Sequence, residues 1–427
     1  MSPSAVCFAL VLAGALEAQS LWTVDITGAT GFTTIQAAIN AAADGDVIVI
    51  KSGNYTTGSF DVNDKALTFI EDAGAVATAV SARITNPNGK TVAIRGIDFR
   101  RNSPAVSGLN PGRNLHVIDN TGTVWLEDCT FETGGVIVAA PGPTYPAIDS
   151  SNSAAAGGTL WLTRCTVRGT RGIRTPQGMM QAGVAIRANA HAGDRLVLQH
   201  CVVEGGDGAA GFFPTSIPGG HGADAVEAPF GSVFAAGGAI AGGDGGGGGS
   251  GGGCTNAGDG GDGLVLAGVA NADLLGTACS GGAPGTATGT CAAGVAGLGT
   301  NVAASSTLFV APAGTPHSIA MTAPVLDGTS TTASYTGEPL AAAFAFASFG
   351  AGFTPLPGVL GPAALDLAAL IPFGLVLLDA AGSATSVHAL PDVLPPGMPV
   401  AVVFVQSLQF GTSALVAGAP SLLVIVQ

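Results

Sequence analysis

The sequence predicts an all-β protein: a right-handed parallel β-helix with an N-terminal capping helix, followed by a small C-terminal β-sandwich module. Three observations predict it. Apolar residues recur at i, i+3 and i+5 in Ile94/Ile97/Phe99, Leu126/Cys129/Phe131, Leu162/Cys165/Val167 and Leu198/Cys201/Val203, at offsets of 32, 36 and 36 residues. Such a period is the mark of a solenoid. The 427 residues include 67 Gly and 25 Pro, and only 10% are charged. That mixture serves helices badly and turn-rich β structure well. Finally, the repeat stops and Cys disappears after about residue 315.

The first residues read as a secretory signal. Residues 1–4 are polar, 5–16 are apolar, and the small Ala18 precedes Gln19. Cleavage after Ala18 would leave an exported chain with six Cys. No later segment reads as a membrane span; the best, 363–378, is short and broken by Asp366 and Pro372. The expected layout is a signal peptide over 1–18, the β-helix over 19–310, a linker over 311–330 and the sandwich module over 331–427.

The mature start has apolar residues at Ile35, Ala38, Ile39 and Ala42, one face of a helix. The apolar strand 47–50 follows, then Lys51-Ser52-Gly53-Asn54-Tyr55. A helix there would cover the open end of the core and block edge pairing. In the repeat itself, an i to i+3 step breaks strand alternation, so the chain must turn a corner between those residues. Gly134, Gly169 and Gly205 follow three of the segments and supply backbone freedom for the next corner. Ala239–Ala241 and Ala278–Ser280, each followed by Gly-Gly, continue the coil ends 39 residues apart. The Gly-rich stretch 242–263 between them reads as a long, poorly ordered excursion off the solenoid wall. Strand-like runs at 340–349, 375–378, 400–406 and 422–427 make up the sandwich.

The stretch Thr34–Asn40 together with Gly45-Asp46-Val47 through Tyr55 resembles the N-terminal cap of the pectin-lyase-like β-helix superfamily. That resemblance covers residues 22 to about 310. It implies the fold and an exported, surface-type protein. It does not imply an activity. Of the polygalacturonase motifs, only Gly220-His221-Gly222 is present; Asn120-Thr121-Gly122 lacks the acid and Asp128 stands alone. Of the pectin methylesterase pattern, the acid expected after the Gly-x-Tyr turn is replaced by Thr57.

Charge narrows the partners. The net charge is −14, and all 14 Lys and Arg lie between Lys51 and Arg195. The 232 residues beyond Arg195 carry 13 Asp and Glu and no Lys or Arg. Nucleic acid and anionic membranes are therefore poor partners. An extracellular polysaccharide is the expected one.

The outward positions of the repeat hold the candidate chemistry. Position i+6 reads Arg100, Glu132, Arg168, Glu204, and position i+2 reads Gly96, Asp128, Arg164, His200. Asp128, Glu132, Arg164 and Arg168 are the candidate catalytic residues of a divergent polysaccharide lyase or hydrolase, acids holding a cation and an Arg taking a proton. The simpler reading is a ladder of opposite charges that steadies neighbouring coils. Asp244, Asp259 and Asp262 are the candidate Ca²⁺ ligands, in a Gly-Asp pattern similar to Ca²⁺-binding solenoid repeats; no cofactor is otherwise required. His116, His191, His317 and His388 show no partner in the sequence. Cys129, Cys165 and Cys201 should stack inward as one column. Among Cys254, Cys279 and Cys291, at most one pair can form. The expected function is a secreted or cell-surface β-helix that binds or organises extracellular polysaccharide without catalysis, with the lyase or hydrolase as the alternative.

Overall fold

The protein is described here from a computed structural model, for residues 19–427 apart from 57, 87, 101–112, 133–144, 153–156, 176–177, 189, 212–216, 250–254, 288–289, 312–313, 391, 393 and 412–413. The signal-peptide reading and Gly134 lie outside these residues.

Three parallel sheets form the walls of a β-solenoid. The first wall has ten strands, from Leu21–Val24 to Thr307–Val310; the second and third have eight each. Every coil visits the walls in the same order, as in Thr123–Glu127, Thr130–Glu132, Ile148–Ser151. The repeat read from sequence is the observed register. Leu126 pairs with Ile94 and Leu162, and Phe131 pairs with Phe99 and Val167. All twelve repeat residues are buried in one continuous core. The required corner is visible in the backbone. Asp128, Arg164 and His200 sit at φ of 53°, 52° and 54°, and Gly96 at 82°. Left-handed geometry at each i+2 residue turns the first wall into the second.

Cys129, Cys165 and Cys201 are free and buried at 1%, 1% and 3% exposure, in a single inward column. Burial, with its neighbouring thiols, pushes the Cys165 thiol well up, so it stays protonated. Cys279 is also free, whereas Cys291 is disulfide-bonded.

The helix Ile35–Ala41 closes the N-terminal end. Thr34 caps it by accepting from the Ala37 N–H, and Ile35, Ala38 and Ile39 face the core. That burial is the reason so short a helix persists.

Past the last wall strand the chain forms antiparallel sheets. Ser318–Met321, Ser330–Thr336 and Ser383–Ala389 make one; a larger sheet contains Ala342–Ser348, Ile371–Leu377, Val400–Phe410 and Ser421–Val426. Ile319, Met321 and Tyr335 of the first share a core with Ala345, Val403 and Ile425 of the second, which makes the pair a sandwich. Two of its strands, Ser318–Met321 and Val325–Leu326, lie in the stretch expected to be a linker. Their hydrogen bonds to the sandwich strands override the turn-like composition there.

The larger sheet turns its other face onto the first wall. Val402, Phe404 and Val424 pack on the outward residues Val49, Trp125, Trp161 and Val197. Trp125 stacks on Trp161 with centroids 5.5 Å apart and meets Phe404 edge-on at 5.0 Å. The first-wall strands beneath it are thus buried on both faces, which is why Val47–Ile50 and Thr159–Thr163 lack polar alternation.

The Gly-rich stretch corrects the expectation of a disordered excursion. Between the second and third walls, successive coils send out and return extended segments: 205–211 and 217–225, 242–249 and 255–263, 280–286 and 292–299. They form two layers with a rhythm of three. Gly242, Gly245 and Gly248 donate to Ser280, Ala283 and Thr286 of the next outgoing segment. Gly243 and Gly246 donate across the layers to Ala223 and Gly220. Asp244, the third position, points outward. Three residues per turn without internal hydrogen bonds is the polyproline II repeat. Here the freed N–H groups bond to neighbouring segments instead. A Cβ at Gly243, Gly246, Gly258 or Gly261 would lie closer than 3.0 Å to a neighbouring backbone carbonyl. The array is therefore packed backbone on backbone, and a lack of side chains is what permits it.

Candidate functional site

The charge ladder sits where expected, on the second wall. Arg100 pairs with Glu132, Glu132 with Arg168, and Arg168 with Glu204 along the strands. Arg168 Nε donates to Glu204 Oε2 at 2.8 Å and Nη1 to Glu132 Oε1 at 3.0 Å. The Glu204 hydrogen bond and charge, then those of Glu132, hold the guanidinium pKa above its ordinary value. A guanidinium so held is a poor proton acceptor.

This ladder borders a trough of about 440 Å³ between the second wall and the outgoing face of the glycine array. Glu132, Arg168 and Glu204 line it on the wall side, Arg171, Asp207 and Asp244 on the array side. Arg171 lies 3.8 Å from Asp207. Charges alternate in sign along the wall side through Glu132, Arg168 and Glu204, with rungs about 4.8 Å apart.

Asp128 and Arg164 do meet, with Arg164 Nε donating to Asp128 Oδ1 at 2.8 Å. They are not part of the trough. Both sit at the corner between the first two walls, beneath the sandwich. Arg164 Nη2 donates to Glu127 at 2.6 Å and Nη1 to the Ile319 carbonyl at 3.1 Å. Burial pulls the Arg164 pKa down, but Glu127 and Asp128 outweigh it and raise it overall. The four candidate catalytic residues therefore divide into two places, and in each the Arg is paired with carboxylates.

Sequence reasoning missed Arg95 and Glu127. Glu127 is fully buried and accepts from Ser421 Oγ at 2.6 Å and Leu422 N at 2.7 Å, both of the sandwich. Arg95 lies 3.5 Å from the same carboxylate, donates to Met321 O at 2.6 Å, and also donates to Leu422 O. These groups bind the two units together. The signal that could have found them was an acid ending the doubly apolar strand Thr123–Glu127.

The candidate Ca²⁺ ligands are not brought together. Asp244 lies in the outgoing layer and Asp259 and Asp262 in the returning one. Each uses Oδ1 to accept the amide of the next coil: Ala283 at 2.7 Å, Val295 at 2.7 Å and Leu298 at 2.6 Å. Among the described residues no group of three or more metal-ligating side chains converges. The carboxylates instead satisfy the third, outward N–H of the three-residue turn. His221 stands 3.2 Å from Asp259. The four histidines without a partner in the sequence do have one in the fold. His116 meets Ser151 Oγ at 3.0 Å, His191 the Asn152 carbonyl at 2.7 Å, His388 Ser386 Oγ at 2.6 Å and His317 the Ser407 carbonyl at 3.1 Å.

Among the described residues no helix is long and apolar enough to cross a membrane. No protein-family model matches the chain, and a search of curated proteins finds no match either.

Proposed function

We propose that the protein is an exported, non-catalytic β-solenoid of the pectin-lyase-like kind that holds an extended extracellular polysaccharide in the trough beside the glycine array. The observation that carries this reading is the trough itself. It is open, it runs along the stacking axis, and its polar groups recur at every rung. A polymer with hydroxyls and acid groups can exchange hydrogen bonds with such a row at each step. The ladder favours binding over chemistry because Arg168 is occupied by a carboxylate on either side. The disulfide at Cys291 supports an oxidising compartment.

The test is a glycan-binding screen on purified protein with and without Ca²⁺, run alongside absorbance of unsaturated uronate products. Saturable binding that weakens in Arg168→Ala and Glu204→Ala, with flat absorbance, is the expected result. A rise in absorbance abolished by Arg168→Ala would replace this reading with a lyase. Binding unchanged in both variants would move the glycan away from the trough.

A further inference from the structure

A second cavity lies between the first wall and the sandwich, and the glycan reading does not use it. The outward column of the first wall runs Trp125, Trp161, Val197, Phe234, Asp273, Phe309 by strand register. Its first three members are sealed under the sandwich. At the last three, a cleft of about 390 Å³ opens, roofed by the stretch that carries Phe353 and Leu360. That volume is in the range of small-ligand sites, and an apolar lining with few polar groups is their usual makeup.

Two ionisable residues line the cleft, Arg195 and Asp273. Arg195 makes no ion pair and no side-chain hydrogen bond among the described residues; its guanidinium lies over the Phe353 ring, 4.8 Å from the centroid. A guanidinium stacked on a ring keeps its N–H edge open for a flat, two-oxygen anion. Asp273 lies two rungs and two residues away, between Phe234 and Phe309, and its carboxylate makes no hydrogen bond or ion pair among the described residues. Burial pushes its pKa up. The permanent charge in the cleft is thus the cation, and the acid is the group its surroundings tend to neutralise.

We propose that this cleft binds a small organic monoanion, its carboxylate or sulfonate on Arg195 and its apolar ring or short alkyl body between Phe234, Phe309 and Phe353. A charged Asp273 opposes such a ligand, so affinity rises as pH falls through its titration. No other lining group titrates there.

The test is a fluorescence titration of the whole protein with anilinonaphthalene sulfonate, with decanoate and decyltrimethylammonium as competitors. Saturable binding displaced by decanoate and not by the ammonium is expected. Arg195→Gln should weaken it at least about tenfold, the value of one charge-assisted pairing. Phe309→Ala, at a side chain 51% exposed and so harmless to folding, should weaken it several-fold. Asp273→Asn should retain binding and remove its pH dependence. Displacement by the ammonium, or equal affinity in wild type, Arg195→Gln and Phe309→Ala, would overturn the proposal.

Discussion

The walls and the glycine array stack along the same axis, coil on coil, yet side chains play opposite parts in them. In the walls, each rung places an apolar side chain on its neighbour: Phe99 on Phe131 at 4.8 Å, Leu126 on Leu162, Cys165 beside Cys129. The walls face each other far enough apart to admit those side chains, and burial of apolar area holds the coils. In the array the segments approach until only hydrogen remains between backbones, and hydrogen bonds in three directions replace a core. The comparison teaches that glycine-rich composition is not by itself a sign of disorder. What matters is whether neighbouring segments can satisfy the freed amides.

Mutations should break the two regions in opposite ways. Phe131→Ala empties the wall core, and a cost of about 3–5 kcal/mol is expected in chemical denaturation. Glu127→Gln tests the junction with the sandwich. It takes the charge from a buried pair that faces Arg95 and Arg164, so about 3–5 kcal/mol should be lost, with the sandwich released first in limited proteolysis.

Adding a methyl group separates the regions more sharply. Gly243→Ala places a Cβ against the Gly206 carbonyl and should cost about 3 kcal/mol. Gly58→Ala, where a Cβ meets nothing within 4 Å, should fall within about 0.5 kcal/mol of wild type in the same thermal melts.

The remaining expected effect is on pH. Burial lowers the His317 pKa to about 4 from the ordinary 6.5. As pH falls, the unfolded chain therefore takes up the proton first. Stability from the neutral imidazole is complete above about pH 6.5 and is lost between there and about pH 4. A loss of about 3 kcal/mol is expected across that window, and His317→Asn should flatten it in denaturant titrations at stepped pH.

The wall repeat was legible because Leu126, Cys129 and Phe131 face one core at fixed spacing, and a period in sequence becomes a rung in space. The capping helix was legible for the same reason, through Ile35, Ala38 and Ile39. The docked sandwich was not. Trp125 and Trp161 sit among inward apolar residues, and a strand buried on both faces carries no alternation to say which side chain points where. The ladder of Glu132, Arg168 and Glu204 was legible as a set of neighbours. The separation of Arg164 from it was hidden, because the corner residues lie beneath strands far away in sequence. The array's own signal, Gly242-Gly243-Asp244 and Gly260-Gly261-Asp262, was a period of three, hidden inside a composition that usually marks a loop.

Amide hydrogen exchange resolved by residue tests the central claim most directly. Gly242, Gly243, Gly245 and Gly246 should be protected through their carbonyl partners, and Gly258, Gly260 and Gly261 likewise. Gly247, an outward position whose amide meets no acceptor among the described residues, should exchange fast. Protection with a three-residue rhythm is the predicted result; uniformly fast exchange across 242–263 would contradict the packed array and restore the loop.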